Sequence, residues 1–156
     1  MTPTTESLWP YALEVYGRPG VEAALLQLQD EHGQCVPLLL WSLWMAAGGR
    51  PIDAPKIAAC AELARAWQEA AVAPLRRLRR GLKAKARTEQ LQARIRHGVK
   101  ALELEAERML LQMLEETSPA PGGAPVAPLE ALTQSARGWG GPAPTALLRK
   151  LAELAA

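Results

Sequence analysis

Phenylalanine is absent from these 156 residues, and aromatic side chains of any kind make up only 4% of them. β-Branched residues are scarce as well, which leaves few runs with the character of a strand. A chain dominated by Ala and Leu is helix-forming, so the expected fold is all-α, a multi-helix bundle. Cysteine occurs only at Cys35 and Cys60, too few for a disulfide framework and suited to reduced, buried thiols in a cytoplasm. Histidine occurs only at His32 and His97, so most acid–base schemes lack parts. No GxSxG, phosphate loop or dinucleotide fingerprint is present. The opening MTPTTESLWP has neither the basic nor the apolar region of a signal peptide. The longest apolar run, Cys35 to Trp41, resumes after Ser42 and ends at Gly48-Gly49, too short to cross a bilayer. A non-catalytic cytoplasmic protein without cofactor or membrane insertion is the expectation.

What is present is helical periodicity. Ser7 is placed to cap a first helix over Leu8 to Tyr16, and Pro19 to start a second, which Gly33 ends as a left-handed cap. Pro37 opens LLLWSLWMAA, apolar almost all round and therefore a central core helix. Asp53 caps a fourth helix with Ile57, Cys60, Ala61, Ala64, Trp67 and Ala71 inward. Its Arg65 lies within ion-pair reach of Glu62 and Glu69. Pro74 is expected to kink or break it. Leu75, Leu78 and Leu82 then form a narrow apolar seam, with a turn signal at Gly81. From about Thr88 to Glu116 runs the longest helix signal, with Ile95, Val99, Leu102, Ala106, Met109 and Met113 at coiled-coil spacing. Residues 117–128 hold four prolines and two glycines and read as a flexible linker. Residues 129–156 read as a weakly helical, partly disordered tail, which leaves 1–116 as the helical domain.

Charge is the strongest signal. Ten of the eighteen Lys and Arg residues lie between Arg76 and Lys100, against one acid, Glu89. The rest of the chain carries fifteen acids and eight bases, so a near-neutral total hides a polarised molecule. Arg76, Arg77, Arg79, Arg80, Lys83, Arg87, Arg94 and Arg96 are the candidate partner-binding residues. Glu103, Glu105, Glu107, Glu115 and Glu116 follow directly, so the long helix has cations toward its N-terminal half and anions toward its C-terminal end. That order opposes the helix macrodipole at about 0.3–1 kcal/mol per badly placed end charge. An antiparallel partner of the same polarity would offset the cost, and a second copy supplies one, which points to a homodimer. An acidic protein is the other candidate partner.

Nucleic-acid or ribosome-associated binding through the same surface is the alternative. Val72 to Gln134 contains no aromatic to stack on bases, so such binding would be backbone-directed and non-specific. Three leucines without Trp or Phe make a poor membrane anchor.

The stretch from Leu8 to Arg50 resembles a family of small helical proteobacterial proteins of unknown function. The resemblance is carried by Leu8-Trp9, Tyr16 with Pro19-Gly20-Val21, Leu28-Gln29-Asp30 with Gly33, and the apolar block from Leu38 to Trp44. It covers roughly the first half of the chain and departs at Pro37, where the family pattern often has a polar residue. The resemblance implies a helical fold and a bacterial cytoplasm, and no activity.

Two smaller constellations hold residue types that can carry chemistry. Asp30, Glu31, His32 and Cys35 are metal-ligating types, but neighbours on a helix diverge by about a hundred degrees and structural zinc takes four ligands. A solvated helix end is the simpler assignment, and no metal or small-molecule substrate is expected. Trp41, Trp44, Trp9 and Trp67 are assigned to core volume that Phe would otherwise supply. Trp139, set among glycines, reads either as an ordinary packed turn or as a candidate docking anchor.

Overall fold

In the computed structural model, which describes residues 6–85, 90–141 and 143–156, every regular element among the described residues is helical. At the centre lies α3 (Val36–Ala47), with Leu38 to Ala46 all buried. A segment without a polar face is stable only when enclosed on every side. Its one polar side chain in that stretch, Ser42, donates its hydroxyl to the Leu39 carbonyl at 2.8 Å. With Phe absent, Trp41 and Trp44 supply the central bulk. Their indole N–H groups are not left over. Trp41 donates to Ser118 Oγ at 2.9 Å and Trp44 to the Glu6 carbonyl at 2.7 Å.

Around α3 pack α1 (Leu8–Tyr16), α2 (Val21–His32) and α4 (Ala54–Trp67). α2 ends on Gly33 in the left-handed conformation. At the start of α4 the Asp53 carboxylate accepts from the Lys56 backbone N–H at 2.8 Å. Two other helix starts differ from the sequence expectation. Ser7 stands at the head of α1 but makes no side-chain cap bond. The Leu8 N–H donates instead to Glu115 Oε1 at 3.1 Å, so a carboxylate from far along the chain sits at the positive helix end. α2 begins at Val21, after a turn through Pro19 and Gly20.

Pro74 does not break the chain's helical course. α4 passes through a π-helical turn, Gln68–Val72, into α5 (Ala73–Lys85). A proline ring crowds the carbonyl four residues back. Here that residue is Ala70, inside the wider turn that gives its carbonyl room. Gly81 lies within α5 and makes no turn. α6 (Gln90–Glu116) then runs back along α5, and its C-terminal half reaches the core beside α1 and α3.

The largest correction concerns everything after Glu116. α7 (Pro128–Trp139) packs on α3 and α4, and α8 (Thr145–Ala155) on α2 and α7. Leu132 and Leu151 are completely buried, at 0% exposure. The tail is therefore part of the core that α1 to α4 build, and the division into 1–116, 117–128 and 129–156 is not kept. The apolar stripes Ala131–Leu132–Ala136 and Leu147–Leu148–Leu151–Ala152 have somewhere to go, which composition alone does not reveal. The glycines of the expected linker serve close approach rather than freedom. Gly123 N–H donates to the Gly49 carbonyl at 2.9 Å, and Gly122 N–H to that of Gly48 at 3.3 Å. A Cβ on Gly49, whose φ is 62°, would fall 1.9 Å from the Gly123 carbonyl oxygen.

Candidate functional site

α5 and α6 form a two-helix hairpin whose two edges differ in charge balance. At the edge nearest the core, Arg76 and Arg79 turn inward onto α6. Arg76 Nε bonds Glu103 Oε1 at 3.2 Å and its Nη2 bonds Glu107 Oε1 at 3.4 Å. Arg79 holds both oxygens of Glu103 through Nε and Nη2. Glu103 is thus bridged by two guanidiniums and only 7% exposed. Burial alone would raise its pKa, but the hydrogen bonds from Arg79 and Arg76 outweigh it and hold the carboxyl below its ordinary value. Glu107 goes the other way: burial raises it, and the Arg76 charge only partly compensates. Two acids one turn apart on α6 are set oppositely by their surroundings.

These ion pairs answer only the acidic side of the charge order of the long helix. α5 runs beside it and sets Arg76 and Arg79 against Glu103 and Glu107, but carries no acid to face the basic half of α6. Trp67 ties the same joint, its indole N–H donating to the Ala106 carbonyl at 2.8 Å.

The sequence-predicted cations divide accordingly. Arg76 and Arg79 are structural. Arg77, Arg80, Lys83 and Arg94 are exposed, Arg96 is half-buried, and none of these has an ion pair among the described residues. Arg87 lies outside the described residues. The α5 seam is also split: Leu75 and Leu82 are half-buried while Leu78 is 50% exposed. On α6, Val99 and Ala106 are buried, yet Ile95, Leu102 and Met109, each seven residues from the next, remain exposed. Arginines and large apolar side chains are therefore both exposed on the hairpin.

Two clefts open on the hairpin. The larger, about 390 Å³, lies where α5 and α6 meet α2 and the start of α3, and includes Tyr16, Asp30 and Pro37. Two of its arginines, Arg76 and Arg79, are paired with Glu103 and Glu107, and Arg80 has no ion pair among the described residues. The smaller, about 190 Å³, is lined by Arg79, Lys83, Arg96, His97 and Lys100. Sequence reasoning did not single out His97 or Lys100 as site residues. The signal was the four-residue spacing of Arg79 with Lys83 and of Arg96 with Lys100, which places each pair on one helix face.

The remaining candidates are engaged elsewhere. Trp139 packs against the core, donates its indole N–H to the Gly33 carbonyl at 2.7 Å and lies beneath Arg65, 4.4 Å from the ring centre. Its ring thus already serves a contact within the chain. Arg65 also donates to the Trp139 carbonyl, and no ion pair with Glu62 or Glu69 forms. Cys35 is buried, accepts from Gln68 at 3.4 Å, and burial pushes its thiol up to about 12. His32 faces Glu31 at 3.9 Å. Among the described residues no three His, Cys, Asp or Glu side chains gather as ligands for one ion, and no helix is long and apolar enough to cross a membrane.

Both the core helices α1 to α4 and the hairpin fall within one family match. The chain matches the family described as "Protein of unknown function (DUF2390)" over residues 7–114. It belongs to that family. The match ends within the last turn of α6, so α7 and α8 lie beyond it although they complete the same core. No curated protein and no solved structure matches the chain.

Proposed function

We propose that this DUF2390 protein is a non-catalytic binding module whose α5–α6 hairpin engages an acidic protein partner. One observation carries the proposal. Glu103 and Glu107 of α6 are bound by Arg76 and Arg79, while Arg77, Arg80, Lys83, Arg94 and Arg96 have no ion pair among the described residues and Leu78 and Ile95 of the same hairpin are exposed. Protein interfaces reward that mixture of arginine and apolar surface. A phosphate backbone rewards the cations alone, and the hairpin offers no aromatic to stack on bases. A non-enzymatic role is supported by the buried, protonated thiol of Cys35. A reducing compartment such as a cytoplasm is supported by two buried, unpaired cysteines.

The test is affinity capture from native cells with and without nuclease, using the natural chain and an Arg77→Glu, Arg80→Glu variant. A saturable, stoichiometric protein partner that survives nuclease and is lost on charge reversal is expected. Capture that vanishes with nuclease assigns the surface to nucleic acid. Recovery of the chain's own second copy alone assigns it to self-association. Either result replaces the proposal.

A further inference from the structure

We infer that the cleft between α5 and α6 is a binding site for a phosphate group. Its lining among the described residues is entirely basic: Arg79, Lys83, Arg96, His97 and Lys100. α5 contributes one cation pair a helical turn apart and α6 another, and the hairpin sets the two pairs around one concavity. Like charges at that spacing repel along each helix, and facing each other they repel again. Only Arg79 has an acid, Glu103, at the inner edge of the cleft. Lys83, Arg96 and Lys100 have none within ion-pair distance among the described residues. An anion seated between the helices converts this mutual repulsion into shared attraction.

The charge and the size identify the anion. Three uncompensated cations and an imidazole exceed what one carboxylate can answer. A phosphate monoester carries a charge of about −1.5 to −2 and three strong acceptor oxygens. The planar fork of Arg96 suits two of those oxygens, and Lys83 and Lys100 act as point charges on the third. A volume of about 190 Å³ is well above the roughly 10–15 Å³ that holds a single water. That admits a phosphate group with bridging waters and leaves the rest of any larger ligand outside. The cleft thus reads a phosphate whatever carries it. It stands independently of the protein-partner proposal, since a small phosphorylated molecule satisfies it as well.

The test uses the full chain with inorganic phosphate against chloride at matched ionic strength, read by thermal melting and by NMR of the His97 ring. A saturable, phosphate-specific rise in Tm and a shift of His97 are expected, because a ligand that binds only the folded state stabilises it. Lys83 and Lys100 are exposed, so Lys83→Gln with Lys100→Gln keeps the fold, and it weakens phosphate by about tenfold or more. Arg77→Gln with Arg80→Gln, which lies outside the cleft lining, changes it by less than about twofold. Phosphoserine matching inorganic phosphate shows that the monoester group alone is recognised. Three results overturn the site: phosphate and chloride indistinguishable, both double variants losing binding equally, or a single-stranded oligonucleotide binding while inorganic phosphate does not. The His97 shift is read on the natural chain, so the site remains testable if a variant misfolds.

Discussion

The helices around α3 and the α5–α6 hairpin are built from similar helix-forming residues, yet they bury opposite things. Around α3 the buried side chains are nearly all apolar, and polar groups such as those of Ser42 and Trp41 find neutral partners, in the Leu39 carbonyl and in Ser118. Between α5 and α6 the buried group is a carboxylate, Glu103, held by two guanidiniums from the facing helix. The first arrangement stabilises by removing apolar surface from water, and it encloses the Ser135 hydroxyl without a hydrogen-bond partner among the described residues. The second aligns two helices by charge and leaves their outward faces free to carry cations that no core could enclose. A protein with a basic surface to display gains from keeping that surface on an appendage whose internal pairing is ionic.

The sharpest way to break the contrast is at the far end of the chain. Leu151→Ala, in α8, is expected to cost about 2–5 kcal/mol in denaturant unfolding, as for any leucine removed from a filled core. A cost below about 0.5 kcal/mol would return α8 to the status of a tail.

Next in size is Glu103→Gln, expected to cost about 1–3 kcal/mol by weakening the bonds of Arg76 and Arg79, with loss of amide-exchange protection confined to α5 and α6. The pH response of the hairpin carries opposite signs from its two acids. Glu103 has a lowered pKa, so its contribution is present above the ordinary carboxylate value and lost as pH falls through the folded one. Glu107 has a raised pKa, so its contribution is full below the ordinary value and lost as pH rises through the folded one. Hairpin protection is therefore expected to rise on mild acidification and then fall. Glu107→Gln removes the rise, and Glu103→Gln removes the fall.

The smallest effect is expected on the outer face. Arg77→Glu with Arg80→Glu should shift global stability by less than about 0.5 kcal/mol while abolishing partner capture. A large loss of stability there would mean that the outer cations support the fold and are not reserved for a partner.

Much of the core was legible because its signals are local. The apolar run opening at Pro37 names a buried helix, Asp53 names a start and Gly33 an end, and each needs only its near neighbours to act. The basic surface was legible too, as a count of charges, but its division was not. Arg76 and Arg77 are indistinguishable in composition, and only the position of α6 turns one onto Glu103 and leaves the other outside. The glycines at 122 and 123 look like flexibility until Gly49 is seen against them. Trp139 looks exposed until Gly33 and Arg65 meet it.

The sequence by itself determined that the chain is helical, which helix lies at its centre, and that positive charge is concentrated between Arg76 and Lys100. Periodicity, caps and charge counts act over a few residues and can be read one segment at a time. Only the tertiary structure decided that α5 pairs with two acids of the long helix, that the C-terminal helices close the core, and that five basic side chains share one cleft. Each of those depends on contacts between residues far apart in the chain, where the free energy lies in the meeting of two surfaces and in neither segment alone.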